Sequence, residues 1–195
     1  MQRRRFVTTG AIAAASLATV AASPVTWAQT TTQPGTPLPP AHVAESVPNA
    51  LFAGTARMRF LAFDVYDASL WVAPGFQASL YGQSPLILEL GYLRNLNGRS
   101  IAQRSLSELR RVGSFSPEQE QRWQTAMEAS FPDVKAGDHI TGVHSPVLGA
   151  RFWFNGLARP PIRDPEFSRL FFGIWLSPAT SEPKLRAALL SNLPQ

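Results

Sequence analysis

LFAGTARMRFLAFDVYDASLWV, residues Leu51 to Val72, is the stretch that decides the fold. Met58, Phe60, Phe63, Val65, Leu70 and Trp71 put a large apolar side chain at almost every second position, with no helical stripe, so the segment reads as strand. The apolar phase is even at Met58 and Phe60, odd at Phe63 and Val65, and mixed after Asp67. One flat strand cannot hold all of these on one face, so a bend, a bulge or two successive strands is predicted. Arg57 stands inside the stretch and must reach solvent or meet an anion, because an unpaired buried charge is costly.

On the C-terminal side, Pro74-Gly75 signals a turn and Ser84-Pro85 opens a second strand, Leu86 to Tyr92. That strand has too few polar breaks for one wet face. After the Asn97-Gly98 turn, Ser100 to Val112 is expected as a helix lying on a surface, with Ile101, Leu106, Leu109 and Val112 on one side and arginines around the other. Ser116-Pro117-Glu118-Gln119 carries a complete helix start, with a capping serine, a first-turn proline and a glutamine able to close the box. This second helix ends near Phe131-Pro132. Strands follow at about His139 to Val143 and Arg151 to Phe154, and Asn155-Gly156 predicts a type I′ hairpin. A helix then starts at Asp164-Pro165 and buries Phe167, Leu170, Phe171, Ile174 and Trp175. Ser181 is expected to cap a short last helix carrying Leu185, Ala188 and Leu189. Strands and helices in blocks argue for α+β, not alternating βαβ units.

Composition narrows the function classes. The chain has 195 residues, of which 45% are hydrophobic, enough for one well-buried domain. No cysteine is present, which excludes disulfides, thiol catalysis and a lipobox. Residues 1–28 read as a secretory signal peptide, with a basic head, an Ala-rich apolar run and a Thr26-Trp27-Ala28 cleavage site. Arg3-Arg4-Arg5-Phe6-Val7 fits the twin-arginine pattern, whose alternative is an ordinary basic head for the general secretory route. Either way the expected location is the periplasm. Removing these three arginines from 18 basic residues leaves 15 against 13 acidic ones, so the formal +5 gives no reason to expect a nucleic-acid partner. Residues 29–48, rich in Pro and Thr, read as a flexible linker, and residues 49–195 as the single folded domain. No membrane segment is expected once the leader is removed.

Motifs with chemical meaning are few. There is no nucleophile elbow, phosphate loop or dinucleotide fingerprint. Asp138, His139 and His144 lack a fourth ligand at metal-site spacing, so neither a metal nor a cofactor is expected. Two readings of Arg57 remain open: a fork clamping a ligand carboxylate or enolate, or a structural role, either as a salt bridge, for instance to Asp64 or Asp67, or at a solvated strand end. Tyr66 is likewise either a second ligand donor or a core or rim tyrosine.

A set of ordered fragments is more specific than any of these. Gly54-x-x-Arg57, Val65-Tyr66-x-Ala68-x-Leu70-Trp71, Gly137-Asp138, Phe154-Asn155-Gly156, Phe171-x-Gly173-Ile174-Trp175-Leu176 and Pro183-x-Leu185-Arg186-x-x-Leu189-Leu190 together resemble the bacterial chalcone isomerase-like proteins, over about residues 45 to 192. The resemblance implies a large antiparallel sheet with a layer of helices packed on one face. It also implies two chemistries, an isomerase that cyclises chalcones with an arginine and hydroxyl side chains, and non-catalytic binders of fatty acids. Arg57 matches the family arginine and Tyr66 falls near a position where the enzymes place a threonine. The helix carrying Ser100, Gln103 and Ser105 lacks the tyrosine and asparagine of the enzymes. The expectation is therefore an exported binder of a fatty acid or similar apolar carboxylate, with Arg57 and Tyr66 as ligand contacts. An intramolecular lyase acting on an enone, and an envelope interaction protein with no small ligand, are the alternatives.

Overall fold

The computed structural model describes residues 37–194. The expected signal peptide and residues 29–36 of the expected linker lie outside them. Six strands form one antiparallel sheet in sequence order: β1 (Leu51–Phe60), β2 (Phe63–Val72), β3 (Leu86–Tyr92), β4 (His139–Ser145), β5 (Gly149–Phe154) and the two-residue β6 (Leu157–Ala158). The opening stretch is thus two strands, joined at Leu61-Ala62 and irregular in register at Phe52/Gly54 and Met58/Arg59. Both the reversal and the bulges contribute to the broken phase in the sequence. Asn155 and Gly156, at φ 49° and 80°, make the expected turn between β5 and β6.

Four helices cover one face of the sheet: α1 (Gly98–Val112), α2 (Pro117–Ser130), α3 (Pro165–Leu176) and α4 (Pro183–Leu189). Asn97 caps α1 by accepting from the Ser100 amide, so the helix begins two residues before the predicted start. Ser116 and Gln119 close the predicted capping box on α2. Asp164 caps α3 through the Glu166 and Phe167 amides, and its other oxygen accepts from the Trp123 indole at 2.8 Å, which ties α2 to α3. The cap expected at Ser181 is a difference: Glu182 occupies that position and its side chain makes no capping bond. Proline at the first turn of α4 starts the helix without one.

Alternation along the strands divides two apolar clusters. Ala68, Leu70 and Val72 of β2 and Leu86, Leu88 and Leu90 of β3 face the helices and meet Leu109, Phe167, Leu170 and Phe172 in the main core. Trp71, Ile87 and Val143 point to the other face, where Val43 and Val47 cover them. This corrects the linker expectation for residues 37–48. Ala41–Ser46 is a 3-10 helix packed on the sheet, and the Trp71 indole donates to the Pro37 carbonyl at 2.8 Å. Two valines spaced four apart and four prolines suit a short apolar strap that hides one end of an otherwise wet sheet face. Among the described residues no helix is long and apolar enough to cross a membrane.

Candidate functional site

A cavity of about 350 Å³ lies between the helix-facing side of β1 to β3 and the helices α1, α3 and α4. Its size is that of a small-molecule pocket, roughly 300–1,000 Å³. Leu90, Ile140, Phe131, Phe171 and Ile174 make its floor and walls apolar. Gly54 sets how closely α4 approaches. With φ at 154°, it lies where a Cβ would stand 2.4 Å from the Ala188 carbonyl oxygen, so only glycine lets the end of α4 rest on β1. That contact places Leu185 of the same helix against the cavity.

A few polar groups converge on this apolar volume. Tyr66 of β2 accepts a hydrogen bond from the Trp175 indole of α3 at 3.0 Å. Burial pushes the Tyr66 phenol up to about 12, with the nearby Glu182 and Glu108 carboxylates adding to the rise. The hydroxyl therefore stays protonated. Tyr92 of β3 meets Tyr66 edge to face, with ring centroids 6.1 Å apart, and burial raises its phenol as well. Ser100 and Ser105 of α1 also line the cavity, although the Ser105 hydroxyl donates to the Ile101 carbonyl at 2.9 Å.

Charge is confined to the rim and one wall. Glu108 of α1 is only 5% exposed, between Arg104 Nη2 at 2.7 Å from Oε1 and Arg111 Nε at 3.4 Å from Oε2. The Arg104 contact is close but not aligned as a hydrogen bond, and Oε1 accepts none. Two guanidinium groups thus pair with one carboxylate, and of these three side chains Arg104 and Glu108 line the cavity. Arg94 lies on the rim with its guanidinium 5.1 Å above the Phe63 ring, and among the described residues no carboxylate lies within 4.0 Å of it. Glu182 lines the cavity at the start of α4.

The two predicted site residues separate. Tyr66 lines the cavity, whereas Arg57 does not. Arg57 pairs across the β1–β2 ladder with Asp67, on the sheet face turned away from the helices. Its Nε and Nη2 donate to both Asp67 oxygens at 2.7 and 2.8 Å, and Nη1 donates to Asp64 at 2.9 Å. Asp67, by hydrogen bond and charge, raises the guanidinium further into its protonated range. The side chain is 44% exposed, and its fork is occupied by protein carboxylates. The structural ion pair is therefore the arrangement adopted, because strand alternation sends Met58 inward and Arg57 outward.

Both ring nitrogens of His144 are engaged within the protein. The residue is fully buried, with Nδ1 2.6 Å from the Ser168 hydroxyl and Nε2 3.1 Å from the Gly82 carbonyl. The carbonyl can only accept, so Nε2 carries the proton and Ser168 donates to Nδ1. This serine–histidine pair lies in the core, away from the cavity. The cavity residues that sequence reasoning passed over are Arg104, Glu108, Tyr92 and Trp175. One signal was available: Glu108 falls on the same face as Ile101, Ser105 and Val112, and an acid on an apolar stripe calls for a partner.

Comparison with known proteins places the chain. Residues 51–191 match the family described as chalcone isomerase-like. An uncharacterized protein of Haemophilus influenzae is 28% identical over 139 residues, covering 71% of this chain and 67% of that protein. The crystal structure of a fatty-acid binding protein of Arabidopsis thaliana superposes with a TM-score of 0.59 at 13% identity, covering 75% of this chain and 89% of that one. At that identity the likeness is one of fold.

Proposed function

The chain belongs to the chalcone isomerase-like family, and from that premise we propose that it is a non-catalytic binder of a fatty acid or a similar apolar carboxylate. The observation that carries this reading is the cavity itself, an apolar volume with the guanidinium groups of Arg94 and Arg104 among its few polar lining side chains. The alkyl chain lies along Leu90, Phe171 and Ile174, and the carboxylate sits with Arg104 and Arg94. A bidentate guanidinium suits a carboxylate, and a charge-assisted contact of this kind is worth about 1.5–3 kcal/mol. Tyr66 and Tyr92, protonated across the physiological range, are the neutral donors beside it.

The isomerase alternative asked Arg57 to stabilise an oxyanion. With Arg57 held by Asp67 and Asp64 on the outer face, it does not reach the cavity in which an enone would lie, so the binding reading is preferred. An interaction protein with an occluded cleft is disfavoured by the cavity volume. The protein is further proposed to act in the periplasm, a reading that rests on the leader-like composition of residues 1–28. Native mass spectrometry of the purified protein incubated with palmitate tests the binding reading. A one-to-one adduct supports it, and no adduct with any of a series of C12 to C18 acids refutes it.

A further inference from the structure

The β1–β2 hairpin ends in a tip whose chemistry the cavity does not account for. Phe60, Leu61 and Phe63 are 54%, 77% and 61% exposed within four consecutive residues, and Leu93, whose amide donates to the Val65 carbonyl of β2, adds a fourth exposed apolar side chain at the base of the hairpin tip. Isolated exposed leucines are ordinary, but a cluster at a projecting turn is not. The turn residues Leu61 and Ala62 both take positive φ, 48° and 69°, in the region that side-chain-bearing residues avoid and that a turn of this kind usually gives to Asn and Gly. An apolar side chain thus stands at the apex, where a polar turn residue would be better solvated and less strained.

Charge surrounds the base of the tip. Arg59 is bound to Asp64 at 2.7 Å, Arg57 shares Asp64 and Asp67, and Arg94 stacks on Phe63. Three arginines against two aspartates leave a positive excess around an apolar point. Phe60 and Arg94 also line the mouth of the cavity, so the tip and the opening are continuous.

We propose that the tip, Phe60 to Phe63, docks the protein on a bilayer containing anionic lipid, with the cavity mouth facing the source of its ligand. Four apolar side chains are far fewer than the roughly 20–30 residues a side of a stable protein–protein interface. They are enough to enter the headgroup and upper acyl region, while the flanking arginines meet lipid phosphates. The proposal rests on the binding reading for its purpose but not for its test.

The test is co-sedimentation of the whole expressed chain, as the cells process it, with vesicles of phosphatidylcholine alone or mixed with phosphatidylglycerol. Wild type, Leu61→Asp and Val147→Asp are compared. Val147 is equally exposed at the opposite end of the sheet, and residues 1–28 are common to all three proteins. Wild type and Val147→Asp are expected to sediment with the mixed vesicles, less so at high salt, and Leu61→Asp to bind about tenfold more weakly. Palmitate binding by Leu61→Asp in vesicle-free solution stays at the wild-type level, since Leu61 does not line the cavity, so loss of docking and loss of the binding function are read separately. The proposal is overturned if wild type sediments with neither vesicle or if Leu61→Asp binds as well as wild type. It is also overturned if light scattering shows that the tip instead joins two copies of the chain, which Leu61→Asp separates.

Discussion

The Trp175 indole of α3 donates to the Tyr66 hydroxyl of β2 at 3.0 Å, and this one bond joins the helix layer to the sheet at the cavity wall. Tyr66→Phe leaves a buried indole N–H without its acceptor. A stability loss of about 1–3 kcal/mol is expected, measured by urea unfolding. An unchanged midpoint would show that the bond does not hold the two layers together.

All three tyrosines of the chain are shifted in the same direction. Burial raises Tyr66, Tyr81 and Tyr92 above the ordinary value of 10, with Tyr66 at about 12. A raised phenol contributes stability that is complete below pH 10 and is lost as pH climbs through the folded-state value. Absorbance near 295 nm should therefore show no phenolate step around pH 10 in the folded protein, and ionisation should begin higher or accompany unfolding. A step near pH 10 without unfolding would contradict the burial described here.

The buried His144 predicts the acid side. Desolvation holds its imidazole below the ordinary 6.5, so between the folded and unfolded values the unfolded chain binds more protons. Stability conferred by the neutral ring is complete above about pH 6.5 and is lost as pH falls below it. The urea midpoint should drop from pH 7.5 to pH 5.5, and His144→Gln should flatten that drop. Equal slopes in the two proteins would contradict this account.

Gly54→Ala would drive a Cβ into the Ala188 carbonyl oxygen and force a left-handed φ on alanine. The expected loss is at least about 2 kcal/mol by thermal unfolding, with weakened palmitate binding because α4 carries Leu185 at the cavity. Wild-type stability in this variant would show that α4 can shift without cost.

If the proposed export is right, periplasmic protein should have an intact mass corresponding to a start at Gln29, and Arg3→Lys with Arg4→Lys should block its appearance there by the twin-arginine route and leave it unchanged by the general secretory route. Unprocessed protein confined to the cytoplasm would contradict the leader reading.

How much of this could be read from the residues follows from what periodicity encodes. The broken phase of Leu51 to Val72 announced a change of face, and the Asn155-Gly156 turn and Ser116 box stated their own geometry. The turn at Leu61-Ala62 carried no such mark, because neither residue is one that favours positive φ. Alternation already placed Arg57 out of phase with Met58. What the sequence could not supply was the partner across the ladder, Asp67, whose position depends on register. The wall built by Arg104 and Glu108 is likewise a tertiary fact, since a helix with arginines around it reads as solvated until the cavity beside it is seen.

The central claim is that the cavity, with Arg104 at its wall, binds an apolar carboxylate, and that Arg57 on the opposite face does not. Calorimetric titration of palmitate into wild type, Arg104→Ala and Arg57→Ala tests this most directly. The account predicts wild-type affinity in Arg57→Ala and a loss of about tenfold to a hundredfold in Arg104→Ala, with both variants folded. Binding lost in a folded Arg57→Ala while Arg104→Ala retains it would contradict the account.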